Sequence, residues 1–184
     1  MFEEMFNVSP DLRPVGQDIL LAKFLTPSGC EYIRACVEGA STWTTNTRDH
    51  DYFTQDLHLD LHVPEIYKML EEQLNDVIFP ASVEYWDCCS AVVKNLFAIK
   101  YSLDTQVGLK VHHDDSYITG SVKINNDYQG ALLHFPDKKF TNEDIEIGDI
   151  LIWPSQITHR HGCTDLESGT KYALTIWTDQ CTEL

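Results

Sequence analysis

The stretch LKVHHDDSYITGSV, residues 109–122, places two histidines and two aspartates beside short runs in which apolar and polar residues alternate. Such alternation is typical of a β-strand with one buried face. Side chains two residues apart on a strand point to the same face, about 7 Å apart, so a His-x-Asp pair can converge on one metal ion. Two pairs in this stretch have the required spacing: His112 with Asp114, and His113 with Asp115.

A second histidine-containing segment can complete such a metal site. The sequence Thr-His-Arg-His offers His159 and His161, and either one would add a third ligand from a distant strand. Two histidines and one carboxylate on one side of a metal leave coordination positions open, which is typical of non-heme Fe(II) oxygenases. Strand parity mildly favours His113 with Asp115, because Leu109 and Val111 share the parity of His113. It does not separate His159 from His161, which share a face.

The N-terminal part of the chain has predominantly helical patterns. The apolar run Ile19–Leu25 predicts a strand. Thr26 followed by Pro27 is typical of a capped helix start, and this first helix is expected to end at about Glu38. Apolar residues at helical spacing predict a second helix from about Pro64.

Beyond Pro80 the pattern changes to short apolar or alternating runs separated by turn residues. The predicted strands are Val92–Tyr101, Gly108–His112, Tyr117–Ile124, Ala131–Phe135, Ile150–Trp153 and Tyr172–Thr178. Helices followed by many strands indicate an α+β chain whose core is a double-stranded β-helix, the jelly-roll or cupin-like architecture, with N-terminal supporting helices. We expect residues 1–184 to form a single domain, with helical support over about 1–80 and the jelly-roll core over about 81–184.

The composition restricts the classes of function. The chain is 43% hydrophobic and 11% aromatic, as expected for a folded globular protein. No apolar run approaches the roughly 20 residues that span a bilayer, and the acidic N-terminus has no signal-peptide pattern, which predicts a cytoplasmic protein without a membrane partner. The formal net charge of −16 argues against a nucleic-acid partner and would suit a basic peptide or protein. The six cysteines form no CxxC pair and are expected to be free thiols.

Further motifs accompany the two histidine segments in a fixed order. They are His112–Ser116, Ile124-Asn125, Gly130, Phe135, Gly148–Leu151, Thr158–His161 and Gly169–Tyr172. Together they resemble the prolyl 4-hydroxylase superfamily of Fe(II)- and 2-oxoglutarate-dependent oxygenases, with motifs like those of the oxygenase domain of procollagen lysyl hydroxylases. The resemblance extends over roughly residues 97–177, a little under half of the chain.

The resemblance implies a role for each matching residue. His112, Asp114 and His161 would bind Fe(II) and would be the catalytic residues. Lys171, ten residues after His161, would bind the far carboxylate of 2-oxoglutarate, and Tyr101 would donate a hydroxyl to the same cosubstrate. The implied activity is that of a dioxygenase that uses O2 to hydroxylate a prolyl or lysyl side chain in a peptide or protein. Succinate and CO2 would be released, with ascorbate as an accessory reductant.

Two positions depart from the motifs of the lysyl hydroxylases. Those enzymes carry Arg where this chain has Lys171, whereas collagen-type prolyl 4-hydroxylases carry Lys. A lysine is a point charge and lacks the bidentate fork of arginine, so the geometry of the bound carboxylate is expected to differ. The turn usually written Gly-Gly-Glu is here Gly130-Ala131-Leu132, which removes an acidic residue.

Two other segments have competing interpretations. The pattern His58-x-Asp60-x-His62 looks like a second metal triad. On a straight strand its histidines would be about 13 Å apart, too far for one ion bound at about 2.1 Å, so the polar face of a strand or helix approach is expected instead. Residues Thr42–Gln55 have no period and fit either a lid over the site or an ordinary packed loop.

Two rival functions use the same candidate ligands. A Zn(II)-dependent hydrolase could use the three metal-binding residues but has no need for Lys171, and a non-catalytic jelly-roll binding module could retain the site as a structural one. The aromatic residues Trp153, Tyr172 and Trp177 fit either a pocket lining or the core, and the core is expected for residues in late strands.

Overall fold

The computed structural model describes residues 3–40, 43–45, 54–87 and 90–181. A short 3₁₀ turn at Glu3–Met5 precedes the first strands, and the first helix, α1, spans Pro27–Glu38. The Thr26 side chain accepts a hydrogen bond from the Gly29 backbone N–H at 3.0 Å, which satisfies a donor that the first helical turn leaves free. The predicted start and end of this helix are therefore confirmed.

Three further helices follow between the first strands and the main β region. They are α2 (Leu59–His62), α3 (Pro64–Gln73) and α4 (Phe79–Trp86), and a π turn over Leu74–Ile78 joins the last two. The predicted helix start at Pro64 is confirmed. The expected change of pattern at Pro80 comes too early, because α4 continues to Trp86 before the chain enters the next strand.

A large antiparallel sheet contains strands from both halves of the chain. Its strands are β1 (Arg13–Gly16), β2 (Ile19–Lys23), β3 (Thr44–Thr45), β4 (Gln55–His58), β5 (Ala91–Ser102), β7 (Ile118–Lys123), β8 (Tyr128–Gly130), β11 (Asp149–Pro154) and β13 (Leu166–Gln180). The spatial order is β1-β2-β11-β7-β13-β5-β4-β3, with β8 paired to the first part of β13. The N-terminal part thus supplies strands as well as supporting helices.

A smaller antiparallel sheet packs against the large one. Its strands are β6 (Leu109–His112), β9 (Leu133–Phe135), β10 (Phe140–Thr141) and β12 (His161–Cys163), in the order β10-β9-β12-β6. Two antiparallel sheets with helices on one side are the predicted α+β arrangement, and the jelly-roll class is confirmed.

The core has one layer on each face of the large sheet. In β2, Leu20 and Ala22 pack with buried residues of the helices, such as Ile33 of α1. Their neighbours Ile19 and Leu21 point the other way and pack with residues of the smaller sheet. This alternation follows from the two-residue period of a strand, and it makes β2 apolar on both faces.

The strands that the sequence did not predict are short or irregular. Those predicted correspond to β2, β5, β6, β7, β9, β11 and β13, whereas β1, β3, β4, β8, β10 and β12 were missed. The latter have two to four residues each, too few to establish a period. No helix formed by the described residues is long and apolar enough to cross a membrane.

Candidate metal centre

The three predicted ligands meet at the open end of the smaller sheet. His112 is the last residue of β6 and Asp114 lies two residues beyond it, while His161 begins β12. Strands β6 and β12 are antiparallel neighbours, and their register places His161 directly opposite His112. Gly162 allows this close approach, because a Cβ at that position would lie 2.7 Å from the Leu109 carbonyl oxygen.

The distances between the candidate ligand atoms fit one metal ion. Asp114 Oδ1 lies 3.2 Å from His112 Nε2, and Asp114 Oδ2 lies 3.3 Å from His161 Nε2. One ligand atom from each residue lies within 4.8 Å of the others, and no second group of this kind exists among the described residues. Two ligands at right angles, each about 2.1 Å from a metal, are roughly 3.0 Å apart, close to the observed spacings.

Backbone hydrogen bonds orient both imidazoles toward the centre of this group. His112 Nδ1 lies 2.8 Å from the Lys110 carbonyl oxygen, and His161 Nδ1 lies 3.0 Å from the His159 carbonyl oxygen. A carbonyl accepts, so each Nδ1 carries a proton. Each Nε2 faces Asp114 and can donate to it when protonated, and loss of that proton would leave a lone pair directed at the shared site. This is the tautomer that a metal-binding histidine needs.

The Asp114 carboxylate is held by partners on the neighbouring strands. The Thr119 hydroxyl of β7 donates to Asp114 Oδ2 at 2.8 Å and lies 2.9 Å from Ser155 Oγ. Burial alone would raise the pKa of the Asp114 carboxyl, but hydrogen bonds with His112 and His161 outweigh it and hold the pKa well below its usual range. The carboxyl is therefore ionised, as a metal ligand must be.

The alternative ligands lie outside this group. His113 and Asp115 are exposed and line the outer mouth of the site. His159 is buried, but both of its ring nitrogens have other partners: Nε2 lies 2.8 Å from the Gln17 carbonyl oxygen, and Nδ1 lies 2.8 Å from Thr158 Oγ1. The structure thus brings together the predicted set and leaves the rival candidates apart from it.

A cavity of about 190 Å³ extends from the three residues into the space between the two sheets. The metal-site residues line one part of it, and Lys171 and Tyr101 line another. Lys171 of β13 pairs with Tyr101 of β5 across the large sheet, and its Nζ lies 5.0 Å from the centre of the Tyr101 ring. The predicted cosubstrate-binding residues therefore share one cavity with the candidate ligands.

The Lys171 ammonium is buried without a nearby carboxylate. Only 4% of Lys171 is exposed, and its Nζ donates to the Ala131 carbonyl oxygen at 2.7 Å and lies 3.6 Å from Cys163 Sγ. Within the described part of the chain, no carboxylate oxygen lies within 4.0 Å of this Nζ. Buried charges in proteins are normally paired, so this site fits an anionic ligand.

The tyrosine beside it stays neutral. Burial, followed by the nearby Cys163, raises the pKa of the Tyr101 hydroxyl well above its usual value. A neutral phenol retains a proton to donate, which suits a carboxylate in the same cavity.

The structure also places the His58–His62 pattern and the three aromatic residues of the late strands. The pattern His58-x-Asp60-x-His62 does not form a strand face, because β4 ends at His58 and α2 begins at the next residue. Trp153 and Trp177 line the cavity, whereas Tyr172 points to the opposite side of the sheet and packs near Trp43. The expectation of a core position is confirmed for Tyr172 and for Trp153, which is 1% exposed and also contributes to the cavity wall, whereas Trp177 is only partly buried.

Most of the candidate lid lies outside the described part of the chain. Of Thr42–Gln55, residue 42 and residues 46–53 lie outside the described residues. The sequence interpretation also missed two features of the cavity. One is the Ala131 carbonyl, a backbone group that no motif reports, and the other is Asp56, which occupies a strand too short to be predicted.

Solved structures with this arrangement of sheets were found by comparison. The viral collagen prolyl hydroxylase of Paramecium Bursaria Chlorella virus-1, in its 2OG complex, aligns with a TM-score of 0.61 at 15% identity, covering 90% of this chain and 98% of that one. A prolyl 4-hydroxylase from Phytophthora capsici aligns with a TM-score of 0.64 at 14% identity, covering 98% of this chain and 66% of that one.

The chain has the fold of the 2-oxoglutarate- and Fe(II)-dependent oxygenases. In sequence it is similar to the procollagen-lysine,2-oxoglutarate 5-dioxygenase of Drosophila melanogaster, with 23% identity over 94% of this chain. The chain spans 26% of the length of that relative. No protein-family model matches the chain.

Proposed function

We propose that the chain is a Fe(II)- and 2-oxoglutarate-dependent dioxygenase that hydroxylates a prolyl or lysyl side chain in a peptide or protein. The observation that carries this proposal is one cavity that holds both a facial His-Asp-His group and a buried ammonium. The names of the similar proteins, a procollagen-lysine dioxygenase and collagen or prolyl hydroxylases, support a peptide or protein substrate.

The metal ligands in this proposal are His112, Asp114 and His161. When bound, Fe(II) together with 2-oxoglutarate and O2 supplies the oxidising chemistry for an unactivated C–H bond and yields succinate and CO2. The chain presents two Nε2 lone pairs and one ionised carboxylate, and Thr119 keeps that carboxylate oriented. Ligands on one side of the ion leave positions for a bidentate 2-oxo acid and for O2.

Lys171 and Tyr101 hold the far carboxylate of the cosubstrate. The ammonium supplies a charge-assisted hydrogen bond and the neutral phenol a second donor. Both groups are almost fully buried, so water competes little with the carboxylate for them. Ascorbate would act as an accessory reductant.

We further propose that residues 1–184 form a single oxygenase domain. Strand β2, near the N-terminus, pairs with β11, and β5 pairs with β13 over most of its length, so the two halves of the chain share one sheet. A reducing compartment such as the cytoplasm fits Cys30, Cys36 and Cys163, which form no disulfide. The net charge of −16 does not favour a nucleic-acid substrate.

The decisive experiment is an anaerobic visible spectrum of the purified protein with Fe(II) and 2-oxoglutarate. We expect an iron-to-keto charge-transfer band in the wild type. The Asp114→Ala variant should lose the band, whereas Asp115→Ala, which removes the exposed neighbouring carboxylate, should keep it. A metal-replete wild type without the band would refute the bidentate cosubstrate complex. A hydrolase on the same ligands, or a binding module, would then become the better hypothesis.

A further inference from the structure

The cavity has an acidic residue that the proposed chemistry does not use. Asp56 lies in the middle of β4, opposite Ile99 of β5, and lines the same cavity as the metal-site residues and Lys171. It takes no part in the metal-binding group. Thr54, just before β4, also lines the cavity and reaches the outer mouth beside His112, so the start of β4 lies along the path to the metal site.

The Asp56 carboxylate lacks a hydrogen-bond partner for one oxygen. Oδ1 is buried, and no donor among the described residues contacts it. Burial raises the pKa of the Asp56 carboxyl, while a hydrogen bond from Thr54 and the nearby His58 lower it less. A buried acceptor without a donor is unfavourable by about 1–3 kcal/mol, and more when it is charged. A ligand that brings a positively charged donor would remove this cost.

The cosubstrate cannot be that ligand. 2-Oxoglutarate carries two carboxylates, and like charges in a cavity of low polarity repel one another. Its far carboxylate already has a partner in the proposed function, the Lys171 ammonium. A cation carried by the substrate could therefore meet Asp56 without competing with the cosubstrate.

The walls of the cavity suit an aliphatic chain that carries such a cation. Phe97 and Trp177 pack edge to face, with ring centres 5.2 Å apart and planes at 88°, and both line the cavity together with Ile99 and Ala173. Apolar walls favour methylene groups, and a carboxylate at one side favours a charged end. The net charge of −16 would also attract a basic peptide.

We propose that Asp56 is a specificity-determining residue that pairs with a protonated amine at the end of the substrate side chain entering the cavity. This inference rests on the proposed oxygenase function, since it takes the cavity as the place where substrate meets the metal site. A prolyl ring has neither the amine nor the reach, so Asp56 selects against it.

Calorimetric titration under anaerobic conditions, with Fe(II) and 2-oxoglutarate present, tests the pairing. The probes are two blocked peptides, Gly-Ala-Lys-Gly-Ala and the same peptide with norleucine, which keeps the chain of methylenes but has no amine. The wild type should bind the lysyl peptide at least about tenfold more tightly, the scale of a hydrogen bond to a charged group. Asp56→Asn should reduce that ratio to about one while leaving the affinity for the norleucine peptide unchanged.

Control variants distinguish the loss of the Asp56 charge from a disturbance of the fold. Asp60→Asn removes an exposed carboxylate from the following helix and should retain the preference for lysine. Asp56→Glu keeps the charge and should retain it, whereas Asp56→Leu, an apolar replacement that leaves no unpaired amide, should abolish it. Equal affinity of the wild type for the two peptides, or an unchanged ratio in Asp56→Asn or Asp56→Leu, would overturn the proposal.

Two separate measurements distinguish a wrong role for Asp56 from a wrong oxygenase function. The charge-transfer band reports the metal and the cosubstrate, and Asp56→Asn should keep it, because Asp56 touches neither in the proposed arrangement. Peptide affinity needs no turnover, so the Lys-to-norleucine ratio is read whether or not the band appears. If the charge-transfer band is present but the wild type shows no preference for the lysyl peptide, only the role of Asp56 is refuted.

Discussion

Replacing Lys171 by Met should weaken cosubstrate binding without weakening the fold. The Lys171 ammonium is buried, and among the described residues it donates to the Ala131 carbonyl oxygen and the Cys163 sulfur. A hydrogen bond to a charged group contributes about 1.5–3 kcal/mol, so its loss should raise the dissociation constant of 2-oxoglutarate roughly 10- to 150-fold. Methionine has a similar length and no charge to bury.

The Lys171→Met substitution should leave the free energy of unfolding unchanged or raise it. Replacing a buried charge by a well-packed apolar side chain is often neutral or stabilising, so the unfolding free energy of the metal-free protein should stay within about 1 kcal/mol of the wild type or rise. Calorimetry of 2-oxoglutarate binding, with redox-inert Mn(II) in place of Fe(II), and urea unfolding would measure the two quantities separately. Lys171→Arg should retain most of the affinity because it keeps the charge, and the exposed Lys68→Met should change neither quantity.

The outcome that refutes this reasoning is a Lys171→Met variant that binds 2-oxoglutarate as tightly as the wild type. The ammonium would then have a role unrelated to the cosubstrate. A variant that loses affinity and stability together would instead indicate that Lys171 mainly supports the local packing around Ala131.

Three further predictions concern the supports of the site and of the fold. Thr119→Val removes the donor to Asp114 and should lower Fe(II) affinity by about 10- to 100-fold in a metal titration, whereas Thr119→Ser should not; equal affinity in the valine variant would contradict the orienting role. Thr26→Ala removes the cap that Gly29 uses and should lower the urea unfolding free energy by about 1 kcal/mol, with Thr26→Ser as the control that keeps it; an unchanged midpoint would show that the cap contributes nothing. Burial raises the pKa of the Cys30 thiol to about 12, so the thiol stays protonated at pH 8 and iodoacetamide should label it only after unfolding; rapid labelling in the native protein, seen by mass spectrometry, would disprove its protection.

The sequence was a good guide where one local rule decides the structure. Thr26 followed by Pro27 marks the start of α1, because the capping hydrogen bond involves only residues of the first helical turn. The long apolar runs of β5 and β13 likewise carry their own period. Short strands such as β12, with three residues, depend on partners that are distant in the chain, so no local pattern reveals them.

Strand parity and the structure favour different pairs of candidate metal ligands. Parity favoured His113 and Asp115, because Leu109 and Val111 share it. The pairing of β6 with β12 is irregular, however: His161 lies opposite His112 but Cys163 lies opposite Leu109, so β6 has one extra residue there. A bulge of this kind resets the alternation, and both Leu109 and His112 line the cavity although they are three residues apart. Only the family resemblance pointed to His112 and Asp114, the pair that the structure places beside His161.

The turn at Gly130 and Ala131 has a consequence for how this site can diverge. Ala131 has a φ of 46°, a left-handed conformation, and its carbonyl oxygen accepts the hydrogen bond that positions Lys171. The anchor of the ammonium is thus a main-chain atom, which every amino acid possesses. Residues 131 and 132 can therefore drift in sequence while the anchor persists, provided that the backbone keeps its left-handed turn. A Gly-Gly-Glu motif and the Gly-Ala-Leu of this chain can therefore provide the same backbone acceptor. Alignments scored on side chains will underestimate the similarity of oxygenases at this turn.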